Sequence, residues 1–303
     1  MSFSIARPAA VALGLLVDRV VSEPPTAFHP VAWFGSVMAA VEKHVWHDTK
    51  AAGALYACVG TSIGWSAGRA LRSTTVAVAI AVAGNALRST ASQVGDAAAS
   101  GDLAEARGKL RALVGRDAQH LDVSGISAAI VESVAENTVD AVIAPVFWGL
   151  VAGAPGALTY RAINTMDAMV GHHNSRYGNF GTAAARADDI ANYVPARLFA
   201  ALVAAVRPGD RQVIWEVVRR DARAHPSPNA GVAESAMAAA LGIELGGPLR
   251  YGDRYEDRPT LGTGRRPKPA DVPAANSVSN QAEALVVVLL AGRSLTRWLG
   301  QRR

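Results

Sequence analysis

The sequence predicts an all-α, multi-helix integral membrane protein made of short, interrupted helices. Half of its 303 residues are hydrophobic and only 18% are charged, below the roughly one quarter that is usual for soluble domains. Uncharged apolar runs recur along the chain, and glycine or proline interrupts most of them. No stretch shows the strict alternation of apolar and polar residues that marks a half-buried strand. These features together favour helices that are partly embedded in a membrane, and an alanine-rich helical soluble protein is the alternative.

The charge pattern narrows the class of partner. The net charge is +5, and most basic residues are scattered arginines rather than a lysine-rich arm or a basic patch interleaved with aromatics. Nucleic acid is therefore not expected as a partner, whereas an anionic membrane surface or an anionic substrate fits. Cys58 is the only cysteine, so the sequence predicts neither an internal disulfide nor a cysteine-based metal site.

The N-terminal part predicts two short helices, over residues 8–21 and from His29 to about Trp46. The uncharged runs Ala51–Gly68 and Thr74–Leu87 then predict a helical hairpin with a basic turn. The first run has eighteen residues, which is the lower limit for a spanning helix, and its small residues allow close packing.

The middle of the chain combines a polar region with one long apolar run. We expect a single domain over residues 1–303 that carries a polar helical insert at 88–140. Ala141–Tyr160 is twenty uncharged residues, long enough to span, but Gly153–Gly156 splits it. If the run crossed the membrane once, the acidic residues before it and those after it would lie on opposite sides of the membrane. We therefore expect this run to double back or to be buried in protein.

The C-terminal half predicts several helices and one long surface loop. The first of these helices is expected to begin near Pro195, because proline is favoured in the first turn of a helix. The loop is expected because residues 246–275 are rich in glycine and proline and show no apolar periodicity. The predicted helices are 194–206, 208–220, 232–241 and 283–298, and the loop is 246–275.

A line of acids precedes the apolar run. Glu132, Glu136 and Asp140 are spaced four residues apart, so on a helix they share one face, with Asn137 beside it. Carboxylates in a line repel each other unless a cation lies there. Mg²⁺ with a phosphate ligand is the natural partner, because Mg²⁺ prefers oxygen donors. A solvated helix face is the alternative.

A second acidic group is the D-D-x-x-N pattern of Asp188, Asp189 and Asn192, expected at the mouth of the 194–206 helix. Acid clusters of this shape bind Mg²⁺-diphosphates. Arg186 and Arg197 flank it and could hold phosphate or carboxylate oxygens. The alternative is N-terminal helix charge with local ion pairs.

Two polar loops complete the candidate set. The first contains the pair His172-His173, followed by Asn174, Arg176 and Tyr177; adjacent histidines point in different directions, so no shared metal is expected. The second, His225–Gly231, offers backbone N–H groups, Ser227 and Asn229 to an anion, and a purely structural turn explains it equally well. No Walker-type phosphate loop or zincin motif is present.

Long motifs of this chain resemble the CobD/CbiB family of cobalamin biosynthesis proteins. They are Glu132–Asp140 followed by Ala-Pro-x-Phe-Trp, Thr165–Gly171, Ala184–Leu198 and His225–Gly231. The resemblance covers nearly the whole chain. It departs at His172-His173, where the family pattern has an aromatic residue followed by a variable one.

The resemblance implies an adenosylcobinamide-phosphate synthase in the cell membrane, multi-pass, with its active site facing the cytoplasm. Such an enzyme joins adenosylcobyric acid to (R)-1-aminopropan-2-ol, or its O-phosphate, by an ATP-dependent amide ligation. The bond formed requires an activated carboxylate such as an acyl phosphate, and hence Mg²⁺, cations and a base. The implied partners are the corrinoid, the amine, the lipid membrane, and a second copy or other pathway enzymes.

Residue type assigns hypothetical roles within this activity. The expected catalytic residues are Glu132, Glu136, Asp140 and Asp167, with Glu132 or Glu136 as the base. The expected metal ligands are Asp188, Asp189 and Asn192. The expected substrate or phosphate contacts are Asn137, Asn174, Arg176, Tyr177, Arg186, Arg197, Ser227 and Asn229. Two rival functions are a Mg²⁺-dependent membrane transferase acting on a lipid or alcohol diphosphate and a non-catalytic membrane sensor.

Overall fold

The computed structural model of the protein describes residues 6–21, 26–114, 119–172, 174–247, 249–251, 254–256 and 258–300. The described chain is helical over most of its length, and its strands are three residues each, which confirms the all-α prediction. Its α-helices are α1 (Arg7–Val20), α2 (Pro30–Val45), α3 (Lys50–Leu71), α4 (Thr74–Ala81), α5 (Gly84–Ser100), α6 (Leu103–Leu110), α7 (Val123–Thr138), α8 (Ala144–Val170), α9 (Thr182–Val206), α10 (Arg211–Asp221), α11 (Ala230–Leu241) and α12 (Val272–Gly300).

The chain packs into two compact units that are each assembled from separate segments. The first unit comprises Met1–Ala83, Asp140–Asn192 and Val286–Arg303. The second comprises Gly84–Val139 and Tyr193–Leu285, so the predicted 88–140 insert falls in it except for its last residue.

Close packing of α3 on α8 organises the first unit. A Cβ atom on Gly64 would lie 2.9 Å from the carbonyl oxygen of Leu158, and one on Gly68 would lie 2.4 Å from Cα of Pro155. Only glycine therefore permits this approach, as the small residues of the run predicted. The predicted hairpin is wrong in its second arm: α4 ends at Ala81 and packs mainly against α1 and α8.

The apolar run Ala141–Tyr160 doubles back, as predicted. Gly153 has φ +67° and ψ −145°, a conformation that breaks the helix and that only glycine adopts without strain. Beyond it, a Cβ on Gly156 would meet the carbonyl oxygen of Trp148 at 2.2 Å, although eight residues of straight helix span about 12 Å. The two halves of α8 therefore run back along each other within the first unit.

The second unit packs α7 and α10 against α11, with α5 against α6 and α7. Its strands are β1 (Glu244–Gly246), β2 (Leu249–Tyr251), β3 (Arg254–Glu256) and β4 (Thr260–Gly262), paired antiparallel as β1 with β4 and β2 with β3. The predicted surface loop at 246–275 is therefore wrong in part, and Leu261 is fully buried. Strands of three residues are too short to show alternation in the sequence.

Three helical stretches of the described chain are long and apolar enough to cross a membrane by length and composition: Val123–Val170, Thr182–Val206 and Pro269–Leu295. The first of these contains the fold-back at Gly153. The run Ala51–Gly68 forms most of α3 but is not among the three.

Candidate functional site

The D-D-x-x-N pattern lies in the middle of a long helix rather than at its mouth. We predicted a helix beginning near Pro195, but α9 runs unbroken from Thr182 to Val206. A proline inside a helix leaves the carbonyl four residues earlier, here that of Ala191, without its usual donor. The indole N–H of Trp148 donates to this oxygen at 3.0 Å, which explains how the helix continues through Pro195.

The amide group of Asn164 joins two carboxylates in the first unit. Its Nδ2 donates to Asp140 Oδ2 at 3.1 Å and to Asp188 Oδ1 at 3.3 Å. Asn192, which is 2% exposed, donates from Nδ2 to the other oxygen of Asp188 at 2.9 Å. The buried hydroxyl of Tyr160 donates to Asn192 Oδ1 at 2.9 Å and lies 3.4 Å from Asp140 Oδ1. We call these five residues the carboxylate–amide cluster.

Two further predicted acids lie beside this cluster. The charges of Asp167 and Asp189 both interact electrostatically with Asp188. The Asp167 carboxylate packs under Gly171, where an added Cβ would lie 1.9 Å from Oδ1. Arg186, in contrast, is exposed on α9. The first unit thus concentrates negative charge, and a divalent cation would relieve it.

The three acids of the predicted line lie in different surroundings. Glu132 is 6% exposed, whereas Glu136 on the next turn of α7 is exposed and Asn137 donates to the backbone of Ser133. Asp140 lies beyond α7, in the π-helical turn Val139–Ile143. The shared cation site that the line suggested stays a prediction.

The oxygen donors of the carboxylate–amide cluster fit a Mg²⁺ ion that is bound together with phosphates. Within the described residues, no group of three or more His, Cys, Asp or Glu side chains is arranged to hold a metal ion. An all-protein cage is therefore not formed there. Mg²⁺, however, is usually held by one or two carboxylates with substrate phosphates and waters, and the pair Asp140–Asp188 meets that requirement.

The loop before α9 is held against α2. Asn174 Oδ1 accepts from the backbone N–H groups of Arg176 and Tyr177 at 2.9 Å each, which forms a local turn. Arg176 and Tyr177 both donate to Glu42 Oε1, at 2.8 and 3.0 Å, and the guanidinium lies over Trp46. This hydrogen bond to Glu42 raises the pKa of Arg176 above its ordinary value. The predicted substrate contacts of this loop thus have a structural partner that we did not predict.

The histidine pair is only half described. His172 is exposed, and His173 lies outside the described residues.

A second polar group lies around the loop His225–Gly231 in the second unit. His225 Nδ1 accepts from the backbone N–H of Ser227 at 3.0 Å, and Nε2 lies 3.9 Å from Glu234 Oε2. Burial of the imidazole lowers the pKa of His225 and outweighs the opposing contact of Nδ1 with the carbonyl oxygen of Ser227, 3.3 Å away. When Nδ1 accepts from the Ser227 N–H, the neutral ring carries its hydrogen on Nε2, on the side of Glu234.

The remaining predicted contacts of this unit are held by backbone groups and one arginine. Ser227 Oγ accepts from the N–H groups of Asn229 and Ala230, where α11 begins. Arg197 donates to Asn229 Oδ1 at 3.1 Å and stacks on the Tyr193 ring. The loop thus forms a turn at the start of α11, and its role as an anion site stays a prediction.

Glu132 also belongs to the packing of this unit. Its Oε1 accepts from the backbone N–H of Gly246 on β1 at 2.9 Å. A buried carboxylate that accepts a backbone N–H supports the short strand pair and explains why Glu132 is not exposed to solvent.

Sequence reasoning missed several residues that organise these groups: Glu42, Tyr160, Asn164, His225 and Glu234. Asn164 precedes the motif Thr165–Gly171 directly, and an amide placed one helical turn before Asp167 was the available signal. His225 opens the motif His225–Gly231, in which the backbone N–H groups, Ser227 and Asn229 carried the prediction and the imidazole did not. Glu42 and Glu234 stand in ordinary helical patterns and carried no signal.

Comparison with known proteins gives one consistent result. The family model described as CobD/Cbib protein matches residues 11–279. The cobalamin biosynthesis protein CobD of Mycobacterium tuberculosis is 42% identical over 296 residues, covering 93% of this chain and 94% of the relative. The proteins of the same name from Rhodobacter capsulatus and Chromobacterium violaceum are 39% and 41% identical, covering 93% and 89% of this chain and 96% and 91% of the relatives. No solved structure matches the chain.

Proposed function

The chain belongs to the CobD/CbiB family, whose curated members are named cobalamin biosynthesis proteins, and from that premise we propose that it is an ATP-dependent amide ligase. Its proposed substrates are adenosylcobyric acid and (R)-1-aminopropan-2-ol or its O-phosphate. The product is adenosylcobinamide or its phosphate. The coarser role, in cobalamin biosynthesis, follows from the family itself.

One observation carries the chemical part of the proposal: a single amide group joins Asp140 and Asp188, which are distant in sequence. Two neighbouring, partly buried carboxylates repel each other and destabilise the fold unless a bound cation or a proton neutralises their charge. An enzyme that handles the phosphates of ATP needs such a place, and this cluster supplies two carboxylates with amide oxygens beside them.

The reaction has two balanced steps. In the first, an oxygen of the corrinoid carboxylate attacks the γ-phosphorus of ATP, and ADP leaves, which gives an acyl phosphate. In the second, the amine nitrogen attacks the acyl carbon, the bond to phosphate breaks, and inorganic phosphate leaves with the bonding electron pair. The amine loses a proton to a base, and the amide bond is complete.

We assign the residues of the first unit to phosphate handling. Asp140 and Asp188 would hold Mg²⁺, with Asp189 and Asn192 as the further predicted ligands. The ion would supply charge neutralisation at the nucleotide phosphates. Asn164 orients both carboxylates, and Asp167 adds negative charge beside them. The exposed guanidinium of Arg186 is the proposed phosphate contact.

The acids of α7 receive separate roles. Glu136 is exposed, so its carboxylate is the better proposed proton acceptor. Glu132 is buried on the N–H of Gly246, which favours a positioning role instead. Arg197, Asn229 and Ser227 remain proposed contacts for an anionic part of a substrate. We place the enzyme in the cell membrane as a multi-pass protein with its active site on the cytoplasmic side.

Direct reconstitution tests the proposal. Purified protein receives adenosylcobyric acid, ATP, Mg²⁺ and either aminopropanol or its phosphate, and mass spectrometry follows the amide product and ADP. We expect product only when all components are present. Asp140→Asn and Asp188→Asn should each lower the turnover at least about a hundredfold, because each removes one of the paired charges.

The matched control is Asp210→Asn, which changes an exposed aspartate that makes no capping hydrogen bond. Its activity should equal that of the wild type. Full activity in Asp188→Asn would overturn the metal assignment, and absence of any amide product from folded protein would overturn the ligase proposal. Turnover of a prenyl or nucleotide-alcohol diphosphate in its place would establish the rival transferase.

A further inference from the structure

An apolar cavity of about 380 Å³ lies in the first unit, formed by α2, α3, α4 and α8. Its walls include Trp33, Phe34, Ile63 and Leu158, and apart from Arg161 and Thr165 the lining residues are apolar or aromatic. The volume lies within the range of roughly 300–1,000 Å³ that is usual for small-ligand sites. A corrinoid with its side chains is much larger than such a ligand, so this cavity is not suited to the proposed substrate.

Arg161 is the charged residue among those that line the cavity. Its Nη1 donates to the amide oxygen of Asn164 at 3.2 Å. The same amide group donates to Asp140 and Asp188, so Arg161 is linked to these carboxylates through Asn164. The Nε atom is buried, and no acceptor among the described residues bonds to it.

A guanidinium in apolar surroundings is costly unless an anion accompanies it. Its unused donors match a carboxylate or a phosphate group, which arginine binds with charge-assisted hydrogen bonds. The rest of the cavity matches a hydrocarbon chain. Trp33 and Val37, which are 55% and 48% exposed, stand at the outer side of the lining and leave a chain a route of entry.

We propose that this cavity binds an amphiphile with one hydrocarbon chain and one anionic group, whose anionic group is bound by Arg161. The shared chemistry covers a fatty carboxylate and a lipid phosphate. Arg161 also donates to Asn164 of the carboxylate–amide cluster. The proposed binding requires no nucleotide and no corrinoid, so its test is separate from the test of the ligase activity.

Binding of a fluorescent fatty acid tests this proposal. The full-length protein is placed in nanodiscs of zwitterionic phosphatidylcholine and titrated with cis-parinaric acid, and energy transfer from tryptophan reports the bound probe against empty nanodiscs. We expect saturable binding that excess oleic acid displaces. Trp33→Phe should reduce the transfer, because it removes the donor on the cavity wall.

Two variants address the two halves of the site. Arg161→Gln should raise the Kd about tenfold or more, the effect of losing a charge-assisted hydrogen bond. Ala67→Phe introduces a ring at an exposed position of the lining and should block the cavity. The matched control is Arg69→Gln, an exposed arginine on α3 that is outside the lining and should leave the Kd unchanged.

The anionic group and its source are distinguished by further arms. Parinaric methyl ester, which lacks the charge, should bind at least about tenfold more weakly than the acid. Displacement by lysophosphatidic acid, which has one chain, at lower concentrations than oleic acid would identify a lipid phosphate as the preferred occupant, and the reverse order would identify a fatty carboxylate. Absence of saturable binding, equal affinity for acid and ester, or unchanged binding in folded Ala67→Phe protein would each overturn the proposal.

Discussion

The side-chain amide of Asn164 lies 3.1 Å from Asp140 Oδ2, although 24 residues separate the two in sequence. A straight helix of that length would hold them about 36 Å apart. They meet because α8 folds back at Gly153. The same amide reaches Asp188 on α9 at 3.3 Å, so one side chain joins two carboxylates from different helices.

Asn164→Asp would replace the joining amide with a third carboxylate. We expect the free energy of unfolding to fall by about 2 kcal/mol or more, because the carboxylates of Asp140 and Asp188 lose a hydrogen-bond donor and gain a third negative charge beside them. Mg²⁺ should stabilise this variant more than the wild type if the cluster binds the ion. Thermal unfolding with and without Mg²⁺ measures both effects.

The control for this variant is Asn179→Asp. Asn179 donates to Asp48 at 3.1 Å, and both side chains are exposed, so the same chemical change should be nearly neutral. If Asn164→Asp were as stable as Asn179→Asp, the hydrogen bonds of Asn164 to the two carboxylates would not contribute to the stability of the fold.

Gly153→Ala should destabilise the first unit. The backbone at φ +67° and ψ −145° is strained for alanine by about 1–3 kcal/mol, and a Cβ would also lie 3.2 Å from the hydroxyl of Thr74. The thermal midpoint should fall accordingly. Gly292→Ala, where an added Cβ meets no atom within 4 Å, should be neutral or slightly stabilising. Equal midpoints for the two variants would contradict the role of the fold-back.

Trp148→Phe removes the donor that serves the Ala191 carbonyl. Ala191 is 5% exposed, so its oxygen would be left buried without a partner, at a cost of about 1–3 kcal/mol besides any lost packing. Thermal unfolding provides the measurement. The comparison is Trp65→Phe, since Trp65 is 48% exposed, and this variant should lose far less. A Trp148→Phe protein that also carries Pro195→Ala should recover part of the loss, because alanine restores the backbone donor.

The pH dependence of stability should contain a contribution from His225. Its pKa is lowered in the folded protein, so as the pH falls below about 6.5 the unfolded chain takes up a proton before the folded one does. The free energy of unfolding therefore declines from there until the pH reaches the folded pKa. His225→Asn keeps an acceptor for the Ser227 N–H and should flatten this decline.

Unfolding midpoints between about pH 8 and pH 5 measure this difference against the wild type. His44→Asn changes an exposed histidine on α2 and should leave the slope as it is in the wild type. An unchanged slope in His225→Asn would show that its imidazole titrates alike in both states.

Helix positions could be predicted well where the pattern is local. The starts at His29-Pro30 and near Ala230 follow from turn residues and apolar periodicity, which act over a few neighbours. The start of α9 could not be found in this way, because Pro195 signals a helix N-terminus locally. A donor from a distant tryptophan overrides that signal.

The candidate site was predictable in its residue types and not in its grouping. Glu132 and Asp140 are two helical turns apart on paper, yet one accepts from Gly246 and the other joins Asn164 and Asp188. The π-helical turn at Val139–Ile143 has no distinct sequence signature, because its residues are ordinary helix and strand formers.

The sequence by itself determined the all-α class, the membrane-compatible composition and the family, because these depend on local composition and on long contiguous motifs. It also predicted that the run Ala141–Tyr160 doubles back or is buried in protein, since Gly153–Gly156 splits it and a single crossing would separate the acids on either side of it. Only the tertiary structure decided that Asp140 and Asp188 share the amide of Asn164 while Glu132 supports a strand. The reason is that such contacts join residues far apart in the chain, and the fold-back at Gly153 brings Asn164 to Asp140.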